Sequence, residues 1–173
     1  MSIIDALLQE MDQEARTTRR VLERVPQAHL AWKPHEKAMT LGQLAMHVAV
    51  VPGAVAAGAA QPEIQRPIFA QPSISDVREL LPLLDESLAK ARTLLGQFSD
   101  EEMQATWRLM DGERTLLAVP RAAFVRSIML NHWYHHRGQL SVYLRELGVP
   151  LPSIYGPSAD ENPFVALPAT AIA

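Results

Sequence analysis

The sequence predicts an all-α fold, a four-helix bundle with long connectors. Three observations carry this. Four long stretches repeat apolar residues at helical spacing. Proline-rich segments separate them, and prolines punctuate rather than continue helices. Strand patterning is scarce and confined to the residues around Asp111-Gly112. At 173 residues the chain suits a single domain spanning 1–173.

The first helix is expected over Ile3–Val25. Ile4, Leu7, Leu8, Met11, Ala15, Thr18, Leu22 and Val25 fall on one face, Glu10, Arg16, Arg19, Arg20 and Glu23 on the other, and Pro26 closes it. Trp32-Lys33-Pro34-His35-Glu36-Lys37 reads as a loop. The second helix starts after Thr40, which has the spacing of a capping box with Gln43. Leu44, His47, Val48, Val51 and Val55 share its face. Pro52 lies inside the run and removes a backbone donor, so a kink or an early end is expected there.

Gln61–Ser75 holds Pro62, Pro67 and Pro72 and reads as a connector. The third helix is expected from about Asp76 to Phe98, capped by Ser75 or Ser73, with Val77, Leu80, Leu81, Leu84, Leu88, Ala91, Leu95 and Phe98 as its stripe. Pro82 weakens the first turns and allows a later start. Ser99 and Glu102 repeat the capping-box spacing and suggest a short helix. Trp107–Met110 and Thr115–Val119 flank Asp111-Gly112, as in a small hairpin or an extended loop. Pro120 suits a helix start, and the fourth helix is expected from about Arg121 to Leu147, stopped by Gly148 and Pro150. The tail holds five of the thirteen prolines and should be irregular, fraying over 165–173.

Composition narrows the chemistry. With no cysteine there is no disulfide, thiolate metal site or cysteine nucleophile. A net charge of −3 and the absence of a basic run argue against a nucleic-acid partner. The first ten residues carry Asp5 and Glu10 without a basic stretch, unlike a secretory signal. Met39–Pro62 lacks Asp, Glu, Lys and Arg, yet it is rich in Ala and Gly and holds Gln43, His47 and Pro52. It reads as a buried helix of a soluble protein rather than a membrane span, and a cytoplasmic location is the default.

The six histidines remain. At about 100° per residue, His132 and His136 differ by about 40° and lie one turn apart on a face with Val125, Ile128, Met129, Gln139, Leu140 and Tyr143. Two imidazoles so placed can converge on a divalent ion, with a third ligand from another helix. His47 is the candidate. The competing reading is a set of core histidines satisfied by hydrogen bonds, although burying three imidazoles without partners is costly. Periodicity does not choose between His135 and His136, since both neighbour His132. His29 and His35 lie in or beside the first loop and read as exposed. Gly138 is expected to allow close helix approach, and Arg137 to form an ion pair or cap.

Three segments carry a family resemblance. Trp32-Lys33-Pro34-His35-Glu36-Lys37 with Thr40-Leu41-Gly42-Gln43-Leu44-Ala45-Met46-His47 resembles the first signature of the DinB/YfiT superfamily. His132-Trp133-Tyr134-His135-His136-Arg137-Gly138-Gln139-Leu140 resembles the second, and Leu147 to Ser158 is similar to the tail of DinB-like members. The resemblance implies an up-down-down-up bundle, frequent homodimers, and a divalent metal held by His47, His132 and His136, thereby selecting His136 over His135. It also implies a relation to thiol-cofactor-dependent transferases and isomerases, although fold and site do not name a substrate.

Three neutral imidazoles leave a divalent ion's charge uncompensated and positions open, as in catalytic sites. Such an ion, zinc, nickel, copper or iron by donor type, supports hydrolysis of a small-molecule substrate or attack by a low-molecular-weight thiol. With no cysteine in the chain, that thiol comes from a cosubstrate. Glu36, Tyr143, Arg145 and Tyr155 are polar candidates near the motifs, each with an ordinary role as solvated charge, core aromatic or tail anchor. The expected function is a metal-dependent transferase or hydrolase. The alternatives are a non-catalytic metal-binding stress-response bundle and a homodimeric interaction protein.

Overall fold

In the computed structural model, which describes residues 1–66 and 72–165, the chain opens with α1 (Ile3–Leu22). Ser2 and Asp5 form its capping box, which meets two of the amide donors a helix start leaves free. The helix ends three residues before the expected Val25, with Glu23 as its C-cap. Ile4, Met11, Ala15, Thr18 and Leu22 are buried, as the stripe requires.

After a loop containing a short 3-10 turn (Gln27–His29), α2 spans Leu41–Ala59 with the Thr40/Gln43 capping box formed. Of the two expectations at Pro52, the early end does not occur: α2 runs on past it, and Pro52 is buried mid-helix. Neighbours make up for the backbone bond that proline removes. The carbonyl of Val48, four residues earlier, accepts from the Trp133 indole at 2.7 Å. The amide of Gly53 donates to Ser87 Oγ at 2.8 Å, and that hydroxyl donates to the Val50 carbonyl at 3.1 Å. α2 is long and apolar enough to cross a membrane, but 56% of its most apolar stretch is buried inside the molecule. That is the pattern of a core helix.

The third helix departs from its expected bounds. A 3-10 turn at Val77–Glu79 is capped by Asp76 rather than by Ser75 or Ser73. α3 then runs Leu80–Leu95. Pro82 lies in its first turn, where an amide lacks an intrahelical acceptor anyway. α4 (Asp100–Gln104) follows, with the Ser99/Glu102 box formed.

The all-α expectation is corrected by a three-stranded sheet. β1 (Glu63–Gln65) lies in what reads as a connector, β2 is Thr106–Asp111 and β3 is Arg114–Pro120. β1 pairs parallel with β2, Ile64 opposite Leu109; β2 pairs antiparallel with β3, Trp107 opposite Val119, with an irregularity at Leu109/Met110. Of the two turn readings the hairpin forms, and Gly112 takes φ +61°, a conformation that suits glycine. Trp107 anchors the sheet. It is fully buried, stacks on Phe124 at 3.6 Å between ring centroids, and donates its indole N–H to the Gly58 carbonyl at 3.1 Å. The Arg121 guanidinium donates to the carbonyls of Ala59 and Glu102 at 2.8 and 2.5 Å, so the end of α2 is capped from the hairpin side.

The last long helical stretch is not uniform. α5 (Arg121–Phe124) passes into a π-helical segment (Val125–Asn131), and α6 (His132–Glu146) continues it. Gly148 follows at φ +71°. α2 packs on α3 and α6, and α1 packs on the same two helices. The expected fraying over 165–173 falls outside the described residues except for Val165, which is exposed.

Candidate metal centre

α2 and α6 bring His47 and His132 together edge-on, 73° between their ring planes. Their Nε2 atoms are 3.0 Å apart. Ring centroids are 5.2 Å apart for His47 and His132, 4.4 Å for His47 and His136, and 4.3 Å for His132 and His136. The ligand nitrogens of all three lie within 4.8 Å of one another, and each residue is half-buried. This is the group that the family resemblance implies; helical spacing alone leaves His135 and His136 open. The one-turn spacing on α6 sets two rings edge-on, 78° between their planes, and the packing of α2 on α6 supplies the third.

The electrostatics favour neutral rings. Burial lowers the pKa of His47, with His132 adding to the effect. Burial likewise lowers that of His132, with His135 contributing. His136 is pushed down to about 4, chiefly by burial and then by His47. A neutral imidazole keeps a lone pair for a ligand, so all three rings are in the protonation state a metal needs.

His136 Nδ1 lies 2.7 Å from Gln139 Oε1. The amide oxygen is an acceptor, so Nδ1 carries the proton and Nε2 keeps the lone pair. An outer partner of this kind sets the tautomer and orientation of a ligating histidine. Helical spacing places Gln139 on the ligand face of the helix but does not give it this part. Its position three residues after His136 was the available signal.

The set is compatible with a divalent ion. Two imidazole nitrogens bound at about 2.1 Å, 90–109° apart, are separated by roughly 3.0–3.4 Å, and the His47–His132 separation is 3.0 Å. Among the described residues no carboxylate joins the group.

The DinB family model matches residues 1–163. The chain belongs to the DinB family. It is 24% identical to YrdA of Bacillus subtilis over 159 residues, 91% of each chain. The fold is similar to that of a DinB-like protein from Bacillus cereus (20% identity, TM-score 0.63, 87% of this chain and 97% of that one). It is also similar to one from Bacillus subtilis (21% identity, TM-score 0.64, 86% and 96%).

In this DinB-family chain the other sequence candidates are engaged away from the triad. His135 is exposed, with its centroid 5.0 Å from that of His136, and stays outside the ligand group. His29 and His35 are exposed in the first loop. Glu36 is exposed, and its carbonyl accepts from Lys33 Nζ. Tyr143 donates to the Met39 carbonyl at 3.3 Å and meets Trp32 edge-on. Arg145 pairs with Asp160. Tyr155 donates to Glu14 Oε2 at 2.9 Å and accepts from Arg137 at 2.6 Å. Arg137 forms the expected ion pair, with Glu14 at 2.5 Å, at 1% exposure. Two expectations fail. A Cβ on Gly138 would meet nothing within 4 Å, so no helix approaches closely there. Ile128 and Gln139 are exposed rather than inward, because a narrow buried stripe leaves the flanks of the helix to solvent.

Proposed function

We propose that this protein is a metal-dependent enzyme, a small-thiol-dependent transferase or a hydrolase, with His47, His132 and His136 holding a divalent zinc, nickel or iron ion. The observation that carries the reading is the donor set: three clustered rings, all shifted toward the neutral form, with no carboxylate among them. A bound divalent ion would act there as a Lewis acid, acidifying a water or a thiol from a cosubstrate. The chain's own residues supply the frame. Gln139 Oε1 accepts the Nδ1 proton of His136, and exposed His135 borders the triad, its ring centroid 5.0 Å from that of His136.

A second reading is a non-catalytic metal-binding protein in which the ion ties α2 to α6. It is favoured by the engagement of Tyr143, Arg145 and Tyr155 with other partners. The family reading extends to a single domain over 1–173, a four-helix bundle of up-down-down-up course, a homodimer and a cytoplasmic location. The packing of α1 and α2 on both α3 and α6 supports the bundle.

The test begins with metal analysis of untagged protein. Metal-loaded protein is then assayed for thiol addition to electrophiles and for ester and amide hydrolysis. Turnover lost in His132→Ala supports the enzyme. Stoichiometric metal that raises the melting temperature without turnover supports the second reading. Metal far below stoichiometry, unchanged in His47→Ala, leaves core histidines.

A further inference from the structure

We propose that Trp133 is a positioning residue for the histidine group: its hydrogen bond to the Val48 carbonyl holds α6 in register with α2 at the level of the ligands. Lacking an amide proton, Pro52 cannot bond the carbonyl four residues earlier, and a proline ring crowds that carbonyl outward. The carbonyl is that of Val48. It accepts from Trp133 Nε1 at 2.7 Å, and Trp133 is fully buried. The two residues so joined are chain neighbours of the facing ligands: Val48 follows His47, and Trp133 follows His132. One short bond therefore links the helices one residue away from both rings, whose Nε2 atoms are 3.0 Å apart.

The geometry makes such a pin matter. A slip of one residue along a helix moves a side chain by about 1.5 Å. Ligand distances in a metal site are tolerated within roughly 0.2 Å. General apolar packing of Leu44, Val48 and Leu140 is less directional, whereas the hydrogen bond is specific in distance and angle. The seven-residue π segment ends at Asn131, directly before His132. The backbone feeding the ligand helix is thus irregular, and an external tie at Trp133 sets where the regular helix begins.

The molecule contains its own control. Trp107 is also fully buried and also donates its indole N–H to a carbonyl of α2, that of Gly58 at 3.1 Å. That bond lies at the far end of the helix, eleven residues beyond His47. Trp133→Phe and Trp107→Phe each remove one indole donor and keep an aromatic ring.

The proposal rests on the metal reading for its consequence, not for its geometry, so two readouts are needed. The first is NMR of the metal-free full chain, following ring contacts between His47 and His132. The second is cobalt and zinc titration. In Trp133→Phe the ring contacts should weaken, and metal affinity should fall about 10- to 100-fold, as for other residues that act behind a ligand. In Trp107→Phe both should stay at the wild-type level, even if the melting temperature drops. Unchanged ring contacts in Trp133→Phe overturn the proposal. So do equal losses in the two variants, which would mark general destabilisation. Absence of metal affinity in the wild type overturns the metal reading, and the ring contacts still decide the part played by Trp133.

Discussion

At the scale of single residues, the three histidines differ from solvent histidines in one physical respect: burial and mutual proximity keep them neutral. His136 is taken from an ordinary 6.5 down to about 4, and His47 and His132 shift the same way. Between those pH values the unfolded chain binds protons that the folded chain does not. Stability of the metal-free protein is therefore complete above about pH 6.5 and declines as pH falls toward 4. Denaturation midpoints measured from pH 7 to 4.5 should show this decline, with a shallower slope in His136→Gln. Equal slopes would mean that His136 is not held neutral. Protons also compete with metal for the same nitrogens, so bound metal should be lost in the same acidic direction.

At the scale of elements, α2 shows how a helix survives a central proline. Its interruption is met by partners from two sides: Trp133 from α6 and Ser87 from α3. The second partner needs a close approach. A Cβ on Gly53 would come within 2.8 Å of the Ser87 carbonyl oxygen and 2.9 Å of its Cα, both backbone atoms that cannot swing away. Gly53→Ala should destabilise the protein by about 1–3 kcal/mol through overpacking, read by urea or thermal unfolding. A neutral or stabilising result would show that α2 and α3 separate freely. Pro52 itself was visible in the sequence. Its tolerance was not, because the groups that compensate are remote in sequence: Ser87 lies 34 residues from the Gly53 amide it accepts from, and Trp133 lies 85 residues from the Val48 carbonyl it donates to.

At the scale of the whole molecule, the tail is fastened to the helices by a polar cluster. Buried Arg137 pairs with Glu14, donates to Thr18 Oγ1 at 3.2 Å and to the Tyr155 hydroxyl at 2.6 Å, and lies over the Tyr134 and Tyr155 rings. Glu161 pairs with Arg20, and Asp160 pairs with Arg145 while accepting from the Leu151 amide. Removing one partner of a buried ion pair leaves the other uncompensated, which costs about 3–5 kcal/mol. Arg137→Ala should lose stability on that order and expose residues 150–163 to limited proteolysis. A loss below about 1 kcal/mol, the size of an exposed pair, would show that the tail is held by other contacts.

How much of this was legible beforehand differs by element. Local features follow from the sequence directly: the Thr40 and Ser99 capping boxes, the turn at Gly112, the stop at Gly148, and the placement of His132 and His136 on one helix face. Each depends on residues within about one turn of one another, where steric and hydrogen-bonding rules act on the chain directly. The sequence by itself also excluded thiol chemistry from the chain's own side chains, offered His47 as the third ring from its place on the second helix's face and, through its resemblance, selected His136 over His135. Only the tertiary structure decided the parallel pairing of β1 with β2, the start of α3 at Leu80, the π segment before His132, and the continuity of α2 through Pro52. The β1 pairing and the repair at Pro52 turn on groups far apart in sequence, so local propensity is silent about them. The closeness of His47 to His132 belongs with them: spacing proposed the pair, and the packing of α2 against α6 set it at 3.0 Å.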